Sequence, residues 1–442
     1  MFLRSDASSE PQEDPVAVRW AGDRGSSTAR GRRRAVWLAL TPLLAGPLAA
    51  CSGSGDSIAT PHTIDAGRLV HTSAGADADP GKPFTVTAQG GTVTDVTLSG
   101  PDGKQVAGAL DPDGHGWHST APLLPATHYR ARIAAADRRG GRGQTTAEFT
   151  TKAADITLTV ALGPDLGRDT YGVGEPLTAE LSEPITDPAY RQRVEQALTV
   201  TSMPAVTGAW YWVDAKNLHF RPKDYWPTGA KVKLGWAGQG TAIDDHGMYG
   251  GPATGVAFTV GDRVEAVVDA ASDQLTFKRN GQVVSTMPVT TGKPGFDTRN
   301  GIKVVLGQER SVQMKSETIG IAEGSSEAYD LHVEWATRVT WSGEYVHAAP
   351  WSVGSQGVAN VSHGCTGMST ENAKWFYENT RVGDIVQVVN SKGHQMEPFG
   401  NGFGDWNLSW DDWLKGSALG KPVSTDAPPA AAQAAATLKP QF

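Results

Sequence analysis

Cysteine is scarce: 442 residues hold two, Cys51 and Cys365. That excludes a scaffold stapled by disulfides and any zinc site built on cysteine pairs. Excess positive charge is missing as well, with 39 Lys and Arg against 47 Asp and Glu and a net charge of −8. A nucleic-acid binder concentrates phosphates on a basic face, so no nucleic-acid partner is expected. No apolar run reaches the roughly 18 residues of a confident transmembrane helix. Glycine, by contrast, numbers 52, which suits many turns between short strands. The length sets an expectation of about three domains.

The one dense basic run, Arg30 to Arg34, precedes an apolar stretch at 35–50 that ends in Leu48-Ala49-Ala50 before Cys51. A charged region, an apolar region and small residues in that order read as an export signal occupying 1–50. The last four residues of this run, Leu48 to Cys51, resemble a bacterial lipobox, which implies that Cys51 is lipidated and becomes the mature N-terminus at the membrane's outer face. The alternative is a plain secretory signal with Cys51 incidental. The long lead before the arginines suggests a later start, with Val16 and Val18 as candidates. Lipid on Cys51 would leave Cys365 a lone thiol in an oxidising compartment, which marks it for reactivity unless it is simply a buried apolar residue.

Residues 51–62 read as a small, polar tether. From 63 to 152 short alternating apolar stretches are separated by Gly, Asp and Pro, the pattern of a β-sandwich. A second such run covers 153–262, and its closing stretch GVAFTVGD looks like TAEFTTK at the end of the first, which predicts a tandem pair. The aromatic-rich stretch from Ala209 to Leu234 is read as sandwich core rather than a ligand platform, because alternation places one face inward. A third unit, 263–395, opens with strands joined at Asn280-Gly281, a pair that accepts positive φ and so predicts a hairpin. A helix over Asn372 to Thr380 is expected, capped by Ser369 or Thr370 with Glu371 in its first turn. Residues 396–424 carry Trp406, Trp410 and Trp413 and are expected to pack on this third unit. The Ala- and Pro-rich tail 425–442 is expected to be disordered.

The chemically informative stretch is 344–369. It gathers His347, Ser362, His363, Gly364 and Cys365. A cysteine nucleophile needs a base, donors for an oxyanion, and access. His347 lies eighteen residues upstream, enough chain to turn and face the thiol. His363 would share a face with Cys365 on an extended segment. Gly364 lets a carbonyl approach the backbone, and amides near Gly364 and Cys365 would serve the oxyanion. Two alternatives stand beside this reading: a zinc site from His347, His363 and Cys365, whose spacing matches no common zinc pattern, and structural histidines around a buried cysteine.

Ser362-His-Gly-Cys365, preceded by His347-Ala-Ala-Pro-Trp351, resembles the signature of the L,D-transpeptidases, the YkuD-type peptidoglycan enzymes. The likeness extends over most of the mature chain and is greatest for actinobacterial lipoprotein members. It implies a mainly β protein: two immunoglobulin-like sandwiches, then a β-rich catalytic domain with a short helix and a Trp-rich extension. It further implies a thioester on Cys365, release of D-alanine from a tetrapeptide stem, and a crosslink between third-position diamino acids. His347 would be the base and later the acid, oriented by the Ala348 carbonyl, with His363 shaping the field. Tyr329 on an active-site flap, Ser342, Gly343, Trp351, Ser362 and the residue at Gly367 would meet substrate. No cofactor or metal is implied, and carbapenem-type inhibitors are expected to acylate the same thiol. Gly367 departs from the Asn or Arg of relatives, and Ile319 falls near a second flap tyrosine. Some relatives bind calcium in the second domain, but the stretch with Asp244 and Asp245 offers no clear ligand set. An L,D-carboxypeptidase, or a wall-binding spacer with little catalysis, are the alternative functions.

Overall fold

A computed structural model describes residues 62–426 apart from 165 and 166. The export signal, Cys51, nearly all of the tether and most of the tail lie outside the described residues. The chain is mostly β, as the alternation predicts.

The first sandwich pairs two four-stranded sheets, one ordered Val70–Thr72, Thr85–Ala88, Gly116–Ser119, Gly108–Leu110, the other Gln105–Val106, Gly91–Ser99, His128–Asp137, Arg142–Thr150. In His128–Asp137 the residues Tyr129, Ala131, Ile133 and Ala135 all point inward, the period of two expected when one face is buried. Phe84 stacks on Phe149 at 4.8 Å in its core.

The second sandwich is built around Trp210, Trp212, Phe220 and Trp226, all buried, so the aromatic stripe is core. It also contains a helix that the sequence reading does not anticipate, Pro188–Ala197. Asp187 caps it, accepting from the amides of Ala189 and Tyr190, and Pro188 occupies the first turn where its missing N–H is harmless. Asp244, in the stretch where a metal was weighed, accepts from the amides of His246 and Met248 and closes a loop.

The third unit has a five-stranded sheet ordered Gln282–Pro288, Gln274–Arg279, Val264–Asp269, Ile385–Val389, Gly301–Val304, and a four-stranded sheet ordered Gly307–Lys315, Asp330–Arg338, Tyr345–Ala348, Thr366–Met368. Asn280 and Gly281 turn the predicted hairpin with φ of 50° and 81°. Helix Thr370–Asn379 is capped by Ser369, which accepts from the amide of Asn372, and buries Ala373 and Phe376 against the core.

The Trp-rich extension departs from expectation: it packs on the second sandwich as well as on the third unit. Trp413 is fully buried and donates to the Ala209 carbonyl at 2.9 Å. The Arg221 guanidinium is ringed by Trp406, Trp410 and Trp413 at 4.8, 5.5 and 4.6 Å, a cation–π arrangement in a dry setting. Strand Val423–Ser424 pairs with Thr207–Trp212 of the second sandwich. On the other side Asn407 exchanges two hydrogen bonds with the backbone of Ile302. The ordered chain also runs further than predicted: Thr425 is buried and bonded to Ser202 and Val206. A tryptophan spacing shows that a face is buried but not against what.

The second sandwich meets the third unit at close quarters. The amides of Gly172 and Gly174 donate to the carbonyls of Val382 and Gly383, each at 2.8 Å. A Cβ on Gly172 would fall 2.2 Å from the Asp384 nitrogen, so only glycine allows this approach.

Candidate active site

Strand Thr366–Met368 runs parallel to Tyr345–Ala348, with His347 opposite Gly367 and Val346 opposite Thr366. Side chains alternate along a strand and paired residues share a face. The residue just before the strand, Cys365, therefore lies on the same face as Gly367 and His347. All three line one cavity of about 270 Å³ with Tyr329, Trp351 and His363. Gly367 leaves the face open beside His347; a Cβ there would sit 3.0 Å from Ala349 Cβ and 3.1 Å from Thr290 Cγ2. Gly367 thus borders the cavity with backbone alone, without the side chain that relatives carry at this position.

His347 is buried, and its Nδ1 lies 2.8 Å from the Ala348 carbonyl oxygen. A carbonyl only accepts, so Nδ1 carries the proton and Nε2 keeps its lone pair. Burial pushes the imidazole below its usual range, so it is neutral at ordinary pH. Burial pushes the Cys365 thiol up to about 12; an amide bond from Tyr345 and the Lys303 ammonium pull it down, while the Glu344 carboxylate adds to the rise. The resting pair is a neutral thiol and a neutral imidazole. The thiol points at the Gly343 carbonyl oxygen, 3.5 Å away.

The turn into the cysteine is built by its neighbours. Ser362 Oγ donates to the Cys365 carbonyl at 2.6 Å and accepts from the Gly364 amide at 3.1 Å. Gly364 has φ of 123°, a value that strongly favours glycine, and its carbonyl accepts from Thr298 Oγ1 at 2.8 Å. Two expectations change as a result. Ser362, although it borders the cavity, has its hydroxyl engaged in shaping the turn, and the Gly364 amide is already bonded. The Cys365 amide is the donor of that expected pair left for an oxyanion.

Ser342 and Gly343 are not among the cavity's lining residues. They form a turn beside the thiol, with the Ser342 amide held by Asn401 Oδ1 at 2.8 Å and Gly343 at φ of 100°. Trp351, 54% exposed, stands at the rim with its ring 6.1 Å from that of His347. Tyr329 packs its ring 5.0 Å from that of His363, and burial, with a smaller contribution from Cys365 when ionised, pushes its hydroxyl up to about 12. Ile319 closes the turn Ser316–Ile319.

Some groups at the site escape the sequence reading. Glu344, buried next to Tyr345, pairs with Arg299 Nη1 at 2.8 Å and with the fully buried Lys303. Glu327 pairs with His363. These partners lie far apart in the chain, and no local spacing announces them. The described residues include no cluster of three or more His, Cys, Asp or Glu placed to hold a metal.

A buried, tautomer-fixed imidazole and a lone thiol lining one cavity define a cysteine-dependent acyltransferase. Comparison with known proteins gives the family. Residues 263–388 match the family described as YkuD, L,D-transpeptidase catalytic domain, and residues 75–242 match one described as bacterial Ig domain. L,D-transpeptidase 2 of Mycobacterium tuberculosis is 36% identical over 406 residues, covering 89% of this chain and 98% of that one. L,D-transpeptidase 5 of the same species is 33% identical over 414 residues, covering 90% and 87%. A crystal structure of L,D-transpeptidase 3 from Mycobacterium tuberculosis with a faropenem-derived adduct covers 52% of this chain and 97% of its own, at 33% identity and a TM-score of 0.43. The chain belongs to the L,D-transpeptidase family.

Proposed function

We propose that this protein crosslinks peptidoglycan stems between third-position diamino acids, using Cys365 as nucleophile and His347 as general base. The observation that carries the reading is the cavity shared by Cys365 and a His347 whose Nε2 is left free to take a proton. As Sγ bonds to the donor's third-residue carbonyl carbon, the thiol proton passes to Nε2. The Cys365 amide faces the developing oxyanion. The C–N bond to D-alanine then breaks, and the imidazolium returns the proton to the leaving amine. The acceptor's side-chain amine attacks the thioester and gives its proton to His347, and the departing sulfur takes that proton back. One amide is broken, one is made, and no cofactor is consumed. The Ala348 carbonyl holds the ring throughout, and its side chain plays no part in that bond.

Carbapenem-type β-lactams present a strained carbonyl to the same thiol, and acylation of Cys365 by them follows from the proposed chemistry. Support for an address outside the cell comes from the export-like N-terminus: lipid on Cys51 would hold the enzyme to the outer face of the membrane, within reach of the wall.

The test is mass spectrometry of the purified chain incubated with a disaccharide-tetrapeptide as sole substrate. A dimer joined through third residues, with one D-alanine lost, is expected. Tripeptide alone would instead make the protein an L,D-carboxypeptidase. No turnover, and no adduct on Cys365 after a carbapenem, would leave a wall-binding spacer.

A further inference from the structure

The segment between turn Ser316–Ile319 and strand Asp330–Arg338 carries Tyr329 to the cavity. Two residues earlier it presents Glu327, which is not itself part of the cavity wall. Glu327 Oε2 accepts from His363 Nε2 at 2.8 Å and from the Lys293 ammonium. The three groups come from three separate stretches of chain. Lys293 is fixed to the cysteine loop, because its amide donates to the Ser362 carbonyl at 2.9 Å. His363 stands two residues before the nucleophile, its ring between Phe296 at 4.7 Å and Tyr329 at 5.0 Å. Lys293 Nζ in turn sits 5.4 Å from the Phe296 ring.

The carboxylate therefore ties a loop, anchored at turn Ser316–Ile319 and strand Asp330–Arg338, to an ammonium and an imidazole on the body of the site. Lys293, then His363, hold the Glu327 carboxyl below its usual range. The side chains of Glu327, Lys293 and His363 are 36%, 29% and 22% exposed. A single surface pair of that kind contributes little. One carboxylate shared by an ammonium and an imidazole, with both hydrogen bonds formed, contributes more and fixes direction.

We propose that Glu327 is a positioning residue for acyl transfer: by bridging Lys293 and His363 it latches the flap so that Tyr329 closes the donor side of the cavity over Cys365. The proposal rests on the acyl-transfer reading of Cys365. It assigns Glu327 no contact with substrate; the carboxylate acts through His363 and Tyr329, which do line the cavity.

The experiment compares the full chain with Glu327→Gln, Glu327→Ala, Lys293→Met and the double variant Glu327→Gln/Lys293→Met, using imipenem as the acylating probe. The second-order acylation constant should fall roughly tenfold in Glu327→Ala and a few-fold in Glu327→Gln, which keeps the shape but not the charge. The double variant should be no slower than the slower single one, because both remove the same tie. Amide exchange across 316–330 should speed up about as much, while Val264–Asp269 keeps its protection. Acylation within about twofold of the parent together with unchanged exchange would overturn the proposal. Faster exchange throughout the catalytic domain would also overturn it, in favour of a general stabilising role. If the parent chain itself is not acylated, the acyl-transfer reading fails, and the exchange of 316–330 still decides whether Glu327 latches the flap.

Discussion

The Nδ1–H of His347 donates to the carbonyl oxygen of the next residue, Ala348, at 2.8 Å. That one bond fixes the tautomer, turns Nε2 into the only free lone pair on the ring, and needs nothing from the side chain at position 348. A carboxylate usually holds a catalytic histidine by drawing it toward the charged form. A neutral carbonyl orients the ring and favours its charge only weakly, and burial outweighs it, pushing the imidazole below its usual range.

Removing either partner should stop the reaction while leaving the fold. Cys365→Ala and His347→Ala are expected to lower acylation by imipenem about a thousandfold or more, with the far-ultraviolet dichroism of the parent. Acyl-enzyme formed at the parent's rate by His347→Ala would remove the imidazole from its role.

The thiol's state can be read without substrate. With its value pushed up to about 12, Cys365 is protonated at neutral pH, and the thiolate fraction rises about tenfold per pH unit well into the alkaline range. Alkylation by iodoacetamide should climb without a plateau between about pH 7 and 9. A plateau near neutrality would mean a thiolate–imidazolium pair instead.

Asp384 sits fully buried where the second sandwich meets the catalytic domain. One oxygen accepts from the Arg381 amide at 2.8 Å and the other has no partner. Burial pushes its carboxyl from 3.8 up to about 8. A carboxyl that holds its proton more tightly when folded stabilises the native state most below its unfolded value, and the contribution disappears as pH rises through about 8. The slope is at most about 1.36 kcal/mol per pH unit for one proton. Urea midpoints should therefore fall from about pH 5 to about pH 8, and Asp384→Asn should lose this part of the slope. Identical slopes in the two proteins would show that Asp384 stays ionised.

Gly367 stands where a side chain would be crowded by its neighbours. Its Cβ would meet Ala349 and Thr290 at 3.0 and 3.1 Å. Gly367→Asn should cost about 1–3 kcal/mol through overpacking, read as a lower melting temperature, and should slow imipenem acylation. A variant as stable as the parent would show that the two neighbours move aside freely.

How much of this was legible beforehand follows the range of each interaction. The nucleophile, its base and the turn glycine lie within one short stretch, so their types and spacing stand out in the chain itself. Asn280-Gly281 and Ser369 carry their own backbone chemistry, and the hairpin and the helix cap fall where that chemistry puts them. Helix Pro188–Ala197 was harder: it buries little besides Val194, Glu195 and Ala197, too thin an apolar stripe to show a period, although Asp187-Pro188 is a start signal. Glu344 with Lys303 and Arg299, and Glu327 with Lys293 and His363, were illegible for a different reason. Each set joins residues from separate stretches that only the folded chain brings together, and a lone charge in sequence looks like any solvated one.

Strand Val423–Ser424 closes a sheet whose other strands lie between Val160 and Pro222. A ribosome finishes the whole catalytic domain before it supplies that edge, together with the three indoles that surround Arg221. The second sandwich thus stays incomplete until synthesis has passed the third unit. A premature stop after residue 395 would spare every residue of the cavity and still uncover a guanidinium and a sheet edge. Such a product would display both to proteases, so loss of the Trp-rich extension is expected to give a degraded enzyme, not a merely shortened one.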